Sequence, residues 1–241
     1  MKKLFFLVVL SVSLFSQTIL KFYCGATMAK AMRILADRFE AQHNGVKIVI
    51  FKGGSGSLYK KILSSKDVDL YLPGAESYIL KDENNLFTYK KLVGYNKPVL
   101  LVQKGNPKGI RDLNDLERTD VKVVIGMRNH GSVGKMAEKI LTTFKGDDYY
   151  RKIYKKAIKA PTSLEIIQAF KNGEADVALQ WKAAVFMDDN EKYVDFVNIP
   201  FIATKKKLYL AVVKYSAYPD IAKEFVDFAF KNKKFMRSKG F

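Results

Sequence analysis

The chain has little of what several protein classes require. Its 241 residues include one cysteine, two histidines, six prolines and fifteen glycines. A lone cysteine, Cys24, excludes an intrachain disulfide and argues against a thiolate metal site. Lys21-Phe22-Tyr23 before it lack the apolar and small residues of a lipidation box, so Cys24 reads as a buried strand residue. Proline and glycine are too sparse for a disordered or collagen-like chain. Beyond the N-terminus, no apolar run approaches the roughly 18 residues that a membrane span needs. Acidic residues are also scarce, 24 against 42 lysines and arginines, for a net charge of +18. Such a balance suits nucleic acid, anionic surfaces or acidic ligands. The lysines, however, are spread along the whole chain with no aromatic-basic stripe, so no nucleic-acid partner is expected and much of the charge reads as a solvated surface.

What is present begins with a leader. Met1-Lys2-Lys3 is a short basic region and LFFLVVLSVSLF an apolar one of secretory length. Small residues near Ser16 suit cleavage, although Leu14 is bulkier than the preferred residue there. Residues 1–17 are therefore expected to be a signal peptide and the mature chain to be periplasmic. An uncleaved anchor is the alternative.

The remainder, at 48% hydrophobic and 27% charged, is enough to bury one core or two. LKFYC (20–24) reads as a strand, and Met28, Met32, Leu35 and Phe39 keep one face of a helix inward. VKIVIF is the next strand, Leu58, Ile62 and Leu63 mark a second helix, and VDLYLPG (68–74) closes a β-α-β-α-β series. PVLLV is apolar enough to be buried on both sides. IRDLNDL (110–116) reads as a short helix, VKVVIGM as a strand and KMAEKILTTF (135–144) as a helix. A polar, tyrosine-rich stretch follows to about residue 160. Thr162-Ser163-Leu164-Glu165 has the capping-box form, and its helix leads to the strand DVALQW (176–181). LYLAVVK (208–214) and a helix from Pro219 end the chain. In open α/β sheets ligands sit beyond the carboxyl ends of strands, so two such series facing each other would share one cleft.

The strand-to-helix junctions are Gly25-Ala26-Thr27, Gly53 to Ser57, Asn129 to Gly134, and Thr162-Ser163. Each offers first-turn amides without helical partners and the positive end of a helix dipole. Together they suit an anion held without formal positive charge, with hydroxyls of Thr27, Ser55 and Ser163 as further donors. Ordinary helix capping is the bland alternative. None of these loops contains Asp or Glu. A fully deprotonated tetrahedral oxyanion needs only donors, so molybdate, tungstate or sulfate fits better than monoprotonated phosphate. Glu76, after VDLYLPG, is the residue that would spoil this. GGSGSLYKK lacks the phosphate-loop spacing. A hydrolase using Ser55 and His130 lacks the nucleophile elbow, His43 reads as exposed, and no metal-ligand cluster is visible.

The segments FYCGATMAKAM, GGSGSLYKKI, KGNPKGIRDLNDL, GMRNHGSVGKMAEKIL, SLEIIQAFKNGEADVALQW and AKEFVDFAF, in this order, carry a family likeness. From about residue 20 to Phe241 the chain resembles the periplasmic molybdate-binding proteins of ABC importers, a branch of the type II solute-binding proteins. The resemblance implies an α/β fold of two lobes, each a mostly parallel sheet flanked by helices and hinged by two crossover strands. Residues 18–97 plus 203–241 would form lobe I and 98–202 lobe II. It puts the family's two serines at Thr27 and Ser55, its amide donors at Val133 and Ser163, and its tyrosine at Trp181. Ala26, Gly54, Gly56, Ser132 and Gly134 would support them. Trp181 is an indole that only donates, and it reads equally as a core aromatic. The implied protein is a monomeric binder that hands a small oxyanion to an ABC importer permease. It would have no catalytic residue, cofactor or metal beyond an oxyanion's own. The rival is the colonisation-factor-like branch, which takes small organic or phosphorylated acids; Arg128, Lys135 and Lys182 border the loops such a ligand would need.

Overall fold

The computed structural model describes residues 17–128, 132–199 and 205–241. Leader residues 1–16 and His130 lie outside the described residues. The chain runs β1 (Thr18–Gly25), a 3-10 turn into α1 (Ala29–Glu40), β2 (Val46–Gly53), α2 (Ser55–Ser65), β3 (Leu70–Leu72), α3 (Ser77–Leu80) and β4 (Phe87–Asn96). After one residue β5 (Pro98–Gln103) begins, followed by β6 (Val123–Gly126), α4 (Ser132–Lys156), β7 (Ile158–Ala160), α5 (Ser163–Lys171), β8 (Val177–Trp181) and β9 (Val194–Asn198). Then come β10 (Lys206–Val213), α6 (Pro219–Lys231) and α7 (Lys233–Ser238).

The strands form two five-stranded sheets, ordered β2-β1-β3-β10-β4 and β7-β6-β8-β5-β9. In the first, β1 pairs parallel with β2 and β3, while β10 is antiparallel to both β3 and β4. In the second, β6 pairs parallel with β7 and β8, and β5 is antiparallel to β8 and β9. Four strands of each sheet thus share one direction and a single strand is reversed, in keeping with the mostly parallel sheets expected. The reversed strands, β10 and β5, are the ones by which the chain enters each sheet from the other. Those passages form the two crossovers of a two-lobed α/β fold.

Each sheet has its own core. Met32, Leu35 and Phe39 of α1 are wholly buried, and the Phe39 ring meets Phe225 of α6 edge-on at 5.3 Å. Burial of each such side chain contributes about 1.5–3 kcal/mol. In the second core Leu100, Leu101, Ile140, Leu141 and Ile166 are equally hidden. β3 and β8 are buried along their whole length, as interior strands covered on both faces must be.

Two segments differ from the sequence reading. IRDLNDL yields a 3-10 turn, Leu113–Glu117, because Asp112 caps it and the Asp115 carboxylate turns back to accept the Arg111 N–H at 2.7 Å. The tyrosine-rich stretch, assigned to no element in the sequence, is helical: α4 bends at Lys145–Gly146 and continues, burying Tyr149, Tyr150 and Ile153. Gly146 has φ 84°, the left-handed region where glycine is favoured, and this lets one helix follow another without a loop.

Candidate functional site

The carboxyl ends of β1, β2 and β3 in one lobe face those of β6 and β8, and the start of α5, in the other. Between them lies a cleft of about 320 Å³. One wall is Gly25, Ala26 and Thr27, then Gly53 to Gly56, then Gly74, Ala75 and Tyr78. The other is Ser132, Ser163 and Trp181, with Asn96 also lining the cleft. Thr27, Ser55, Ser163 and Trp181 therefore share one space with the supporting Ala26, Gly54, Gly56 and Ser132. Val133 stands one step back: its side chain is buried in the second core and borders an adjoining cavity of about 620 Å³. Gly134 lies deeper still. A Cβ there would sit 2.1 Å from the Met127 carbonyl oxygen, so this glycine serves close packing of α4 against β6 and takes no part in lining the cleft.

Local chemistry fixes these groups. The helical bonds of α2 begin with Leu58 N–H donating to the Gly54 carbonyl at 3.0 Å, which leaves the amides of Ser55, Gly56 and Ser57 ahead of that first bond. The Ser55 hydroxyl oxygen accepts the Gly74 N–H at 2.9 Å, so its own proton remains to be donated. Beneath it the buried Tyr71 hydroxyl donates to the Ser55 carbonyl at 2.8 Å. Burial, with Tyr78 and Tyr59 adding to it, pushes the Tyr71 phenol well above its ordinary range and keeps it a neutral donor.

On the facing wall the groups are tied to one another. Trp181 Nε1–H donates to Ser132 Oγ at 3.3 Å. The Ser163 hydroxyl donates to Gln180 Oε1 at 3.2 Å, and the Trp181 amide donates to the same oxygen at 2.9 Å. The indole N–H is therefore spent on Ser132, leaving the Ser132 hydroxyl proton to point elsewhere. At α5, Thr162 caps by accepting the Leu164 N–H at 3.1 Å, and the Glu165 carboxylate accepts from the Thr162 hydroxyl.

Among the described residues, none that lines the cleft is charged. Glu76 turns away to accept the Lys207 N–H at 2.9 Å. A group of cations lies at the first crossover. Burial, and then Lys182, Lys205 and Arg237, lower the Lys97 ammonium below its ordinary value. Arg128 is paired with Glu138 at 2.8 Å. Lys135, Lys139 and Lys206 line a second adjoining cavity of about 270 Å³ that shares Ser132, Trp181, Gly74 and Ala75 with the cleft. His43 lies elsewhere, its ring stacked on Phe39 and its Nδ1 2.8 Å from the Phe39 carbonyl. Burial pushes the Cys24 thiol up, out of the reactive range. Among the described residues no three His, Cys, Asp or Glu side chains converge as metal ligands, and no helix is long and apolar enough to cross a membrane.

Gly74, Ala75, Tyr78 and Asn96 were not among the residues expected at the site. Gly74-Ala75 follows strand β3, so the rule that ligands sit beyond strand ends would have found it. Tyr78 and Asn96 carry no such signal.

Residues 20–241 match the family model of the bacterial extracellular solute-binding proteins. The chain belongs to that family. A Haemophilus influenzae protein described as a binding protein is 27% identical over 212 residues, 86% of this chain and 82% of its own length. Among solved structures, the substrate-binding domain assigned to a molybdenum ABC transporter of Clostridium difficile superposes with a TM-score of 0.78 at 22% identity, over 93% of this chain and 98% of that one. The sulfate-binding protein SubI of Mycobacterium tuberculosis gives 0.74 at 20%, over 93% and 86%. The same fold also carries a periplasmic thiamin-binding protein, an iron-bound protein of Pseudomonas aeruginosa and a PEB3 holding L-phospholactate. At such identities the likeness establishes the two-lobed fold, and the ligand must be argued from the cleft.

Proposed function

We propose that this solute-binding protein is exported to the periplasm, takes a tetrahedral oxyanion between its lobes and delivers it to an ABC importer. Molybdate or tungstate is the favoured cargo. Residues 18–97 and 203–241 make one lobe and 98–202 the other. The observation that carries this reading is a small cleft, drawn from both sheets, whose wall offers hydroxyls and helix-start amides but, among the described residues, no charged side chain. A doubly charged oxyanion without protons asks only for donors, and oriented amides and hydroxyls in a water-poor cleft supply them. The cations around Lys97 add attraction at a distance without touching the ligand. Thr27 and Ser55 hold the anion from lobe I. Ser132, Ser163 and the first-turn amide of Val133 hold it from lobe II, with Trp181 orienting Ser132. Binding favours the closed arrangement, and the importer's permease reads that population. The protein acts as a monomer and performs no chemistry of its own.

Titration calorimetry against molybdate, tungstate, sulfate, phosphate and citrate tests this. Molybdate and tungstate should bind one to one, and Ser55→Ala should weaken them by about 1.5–3 kcal/mol, the worth of a hydrogen bond to a charged group. Unchanged affinity in the variant would move the site elsewhere. A second reading has one observation in its favour, the adjoining cavity with Lys135, Lys139 and Lys206. A phosphorylated or organic acid would place its second acidic group there, so tight citrate binding with no response to molybdate selects it.

A further inference from the structure

We infer that Asn96 is a further ligand-contacting residue, meeting the bound anion from the crossover side of the cleft. The inference rests on the oxyanion reading and adds to it a side chain that none of the strand-to-helix loops supplies. Asn96 is the last residue of β4, opposite Lys206 of β10. The next carbonyl, that of Lys97, accepts the Lys182 N–H at 2.7 Å, and Pro98 lies opposite Trp181. The carboxamide thus stands where the chain passes from one sheet to the other, and it lines the cleft.

Its hydrogen bonding is what singles it out. Asn96 is only 3% exposed, and its Oδ1 has no donor among the described residues. Two other buried polar atoms share that condition, Gln180 Nε2 and Asn190 Oδ1. Each of those side chains is nevertheless held by its other end: Gln180 Oε1 accepts from Ser163 and Trp181, and Asn190 Nδ2 donates to the Ala184 carbonyl at 2.9 Å. The Asn96 side chain makes no hydrogen bond at either end among the described residues. Buried polar groups are ordinarily paired. With Oδ1 closed off from solvent, the N–H₂ end, which has no partner among the described residues, is what the carboxamide can offer to an occupant of the cleft. It is uncharged and carries two N–H donors, in keeping with the other wall groups.

The test is molybdate titration of the full chain at pH 8 with Asn96→Ala and Asn96→Asp, alongside the melting temperature of each ligand-free variant. Loss of a hydrogen bond to a charged ligand should weaken N96A roughly ten- to hundredfold. N96D, nearly isosteric, should weaken binding more than N96A, because a carboxylate only accepts and repels the anion. A merely structural residue would lower the melting temperature and leave affinity alone. Should N96A fail to fold, N96D decides. Wild-type affinity in N96D, or in a folded N96A, overturns the inference while leaving the oxyanion reading intact. Wild-type protein that binds no oxyanion overturns both.

Discussion

The two walls of the cleft are built on different plans. Lobe I presents backbone and small residues: a Cβ added at Gly54 would meet nothing nearer than Ser57 Oγ at 3.9 Å, whereas one at Gly25, Gly53 or Gly56 would crowd the side chain of Met28, Leu58 or Tyr78. Lobe II presents side chains already bonded to each other, Trp181 to Ser132 and Ser163 to Gln180. Its glycines are tight, Gly126 and Gly134 each standing within 3 Å of the other's backbone or a neighbouring carbonyl once a Cβ is added. Gly54 leaves space for a ligand, and Gly134, behind the second wall, leaves space for a helix. A sequence pattern of small residues at helix mouths does not separate those two uses; packing does.

The sharpest break of that contrast is a pair of substitutions. Gly134→Ala drives a methyl into the Met127 carbonyl and should cost about 3 kcal/mol of stability, the upper range for overpacking, measured by urea unfolding. Gly54→Ala should leave stability within about 0.5 kcal/mol, as an uncrowded site allows, yet weaken oxyanion binding by filling the cleft. Equal stability losses in the two would erase the distinction.

A smaller effect concerns the bonded wall. Trp181→Phe keeps the ring and removes the N–H that holds Ser132, so affinity should fall by about 0.5–1.5 kcal/mol. If Trp181 acts through Ser132, adding Ser132→Ala should cost less than the sum of the two single changes. Full additivity in calorimetry would mean that the indole contacts the ligand independently.

The same contrast between the lobes bears on what was legible in the sequence. β1, α1, β2 and α2 were readable because apolar periodicity marks each of them, and Phe39 and Ile48 are buried as that spacing requires. β4 was missed because, as an edge strand, it carries Lys90 and Lys91 and only Val93, Gly94 and Asn96 are hidden along it. The second half of α4 was missed because two tyrosines and many lysines mask its buried face. At the site, Thr27, Ser55, Ser163 and Trp181 stand at strand ends, where connectivity alone points to a cleft. Asn96 also ends a strand, β4, but no residue type in Tyr95-Asn96-Lys97-Pro98 marks the crossover between sheets. Gly134 was expected in support of a ligand, and only the 2.1 Å approach reveals its packing role.

The weakest expected effect is electrostatic. In lobe II, hydrogen bonds from Lys152 and Lys145 hold Glu117 below the usual carboxylate range, and those from Lys104 and the Gly105 N–H do the same for Asp195. In lobe I, burial raises Glu40, but hydrogen bonds from Lys47, the Ile48 N–H and Arg33 outweigh it and leave it low. A carboxylate depressed on folding stabilises the fold above its unfolded pKa, about 4, and loses that contribution as pH falls through the folded value. Acid should therefore loosen lobe II, with more such groups, before lobe I. Hydrogen exchange below pH 4 that opens lobe I first would reverse this ordering.

Trp181 is the chain's single tryptophan and lies in the cleft wall, so its emission reports the site itself. Titrating molybdate into the protein while following that emission is the most direct measurement of whether the two walls hold one anion. A saturable change with one-to-one stoichiometry, shifted to higher concentration by Ser55→Ala on the opposite wall, is the result expected. Emission that ignores every oxyanion, or a response identical in Ser55→Ala, would contradict it.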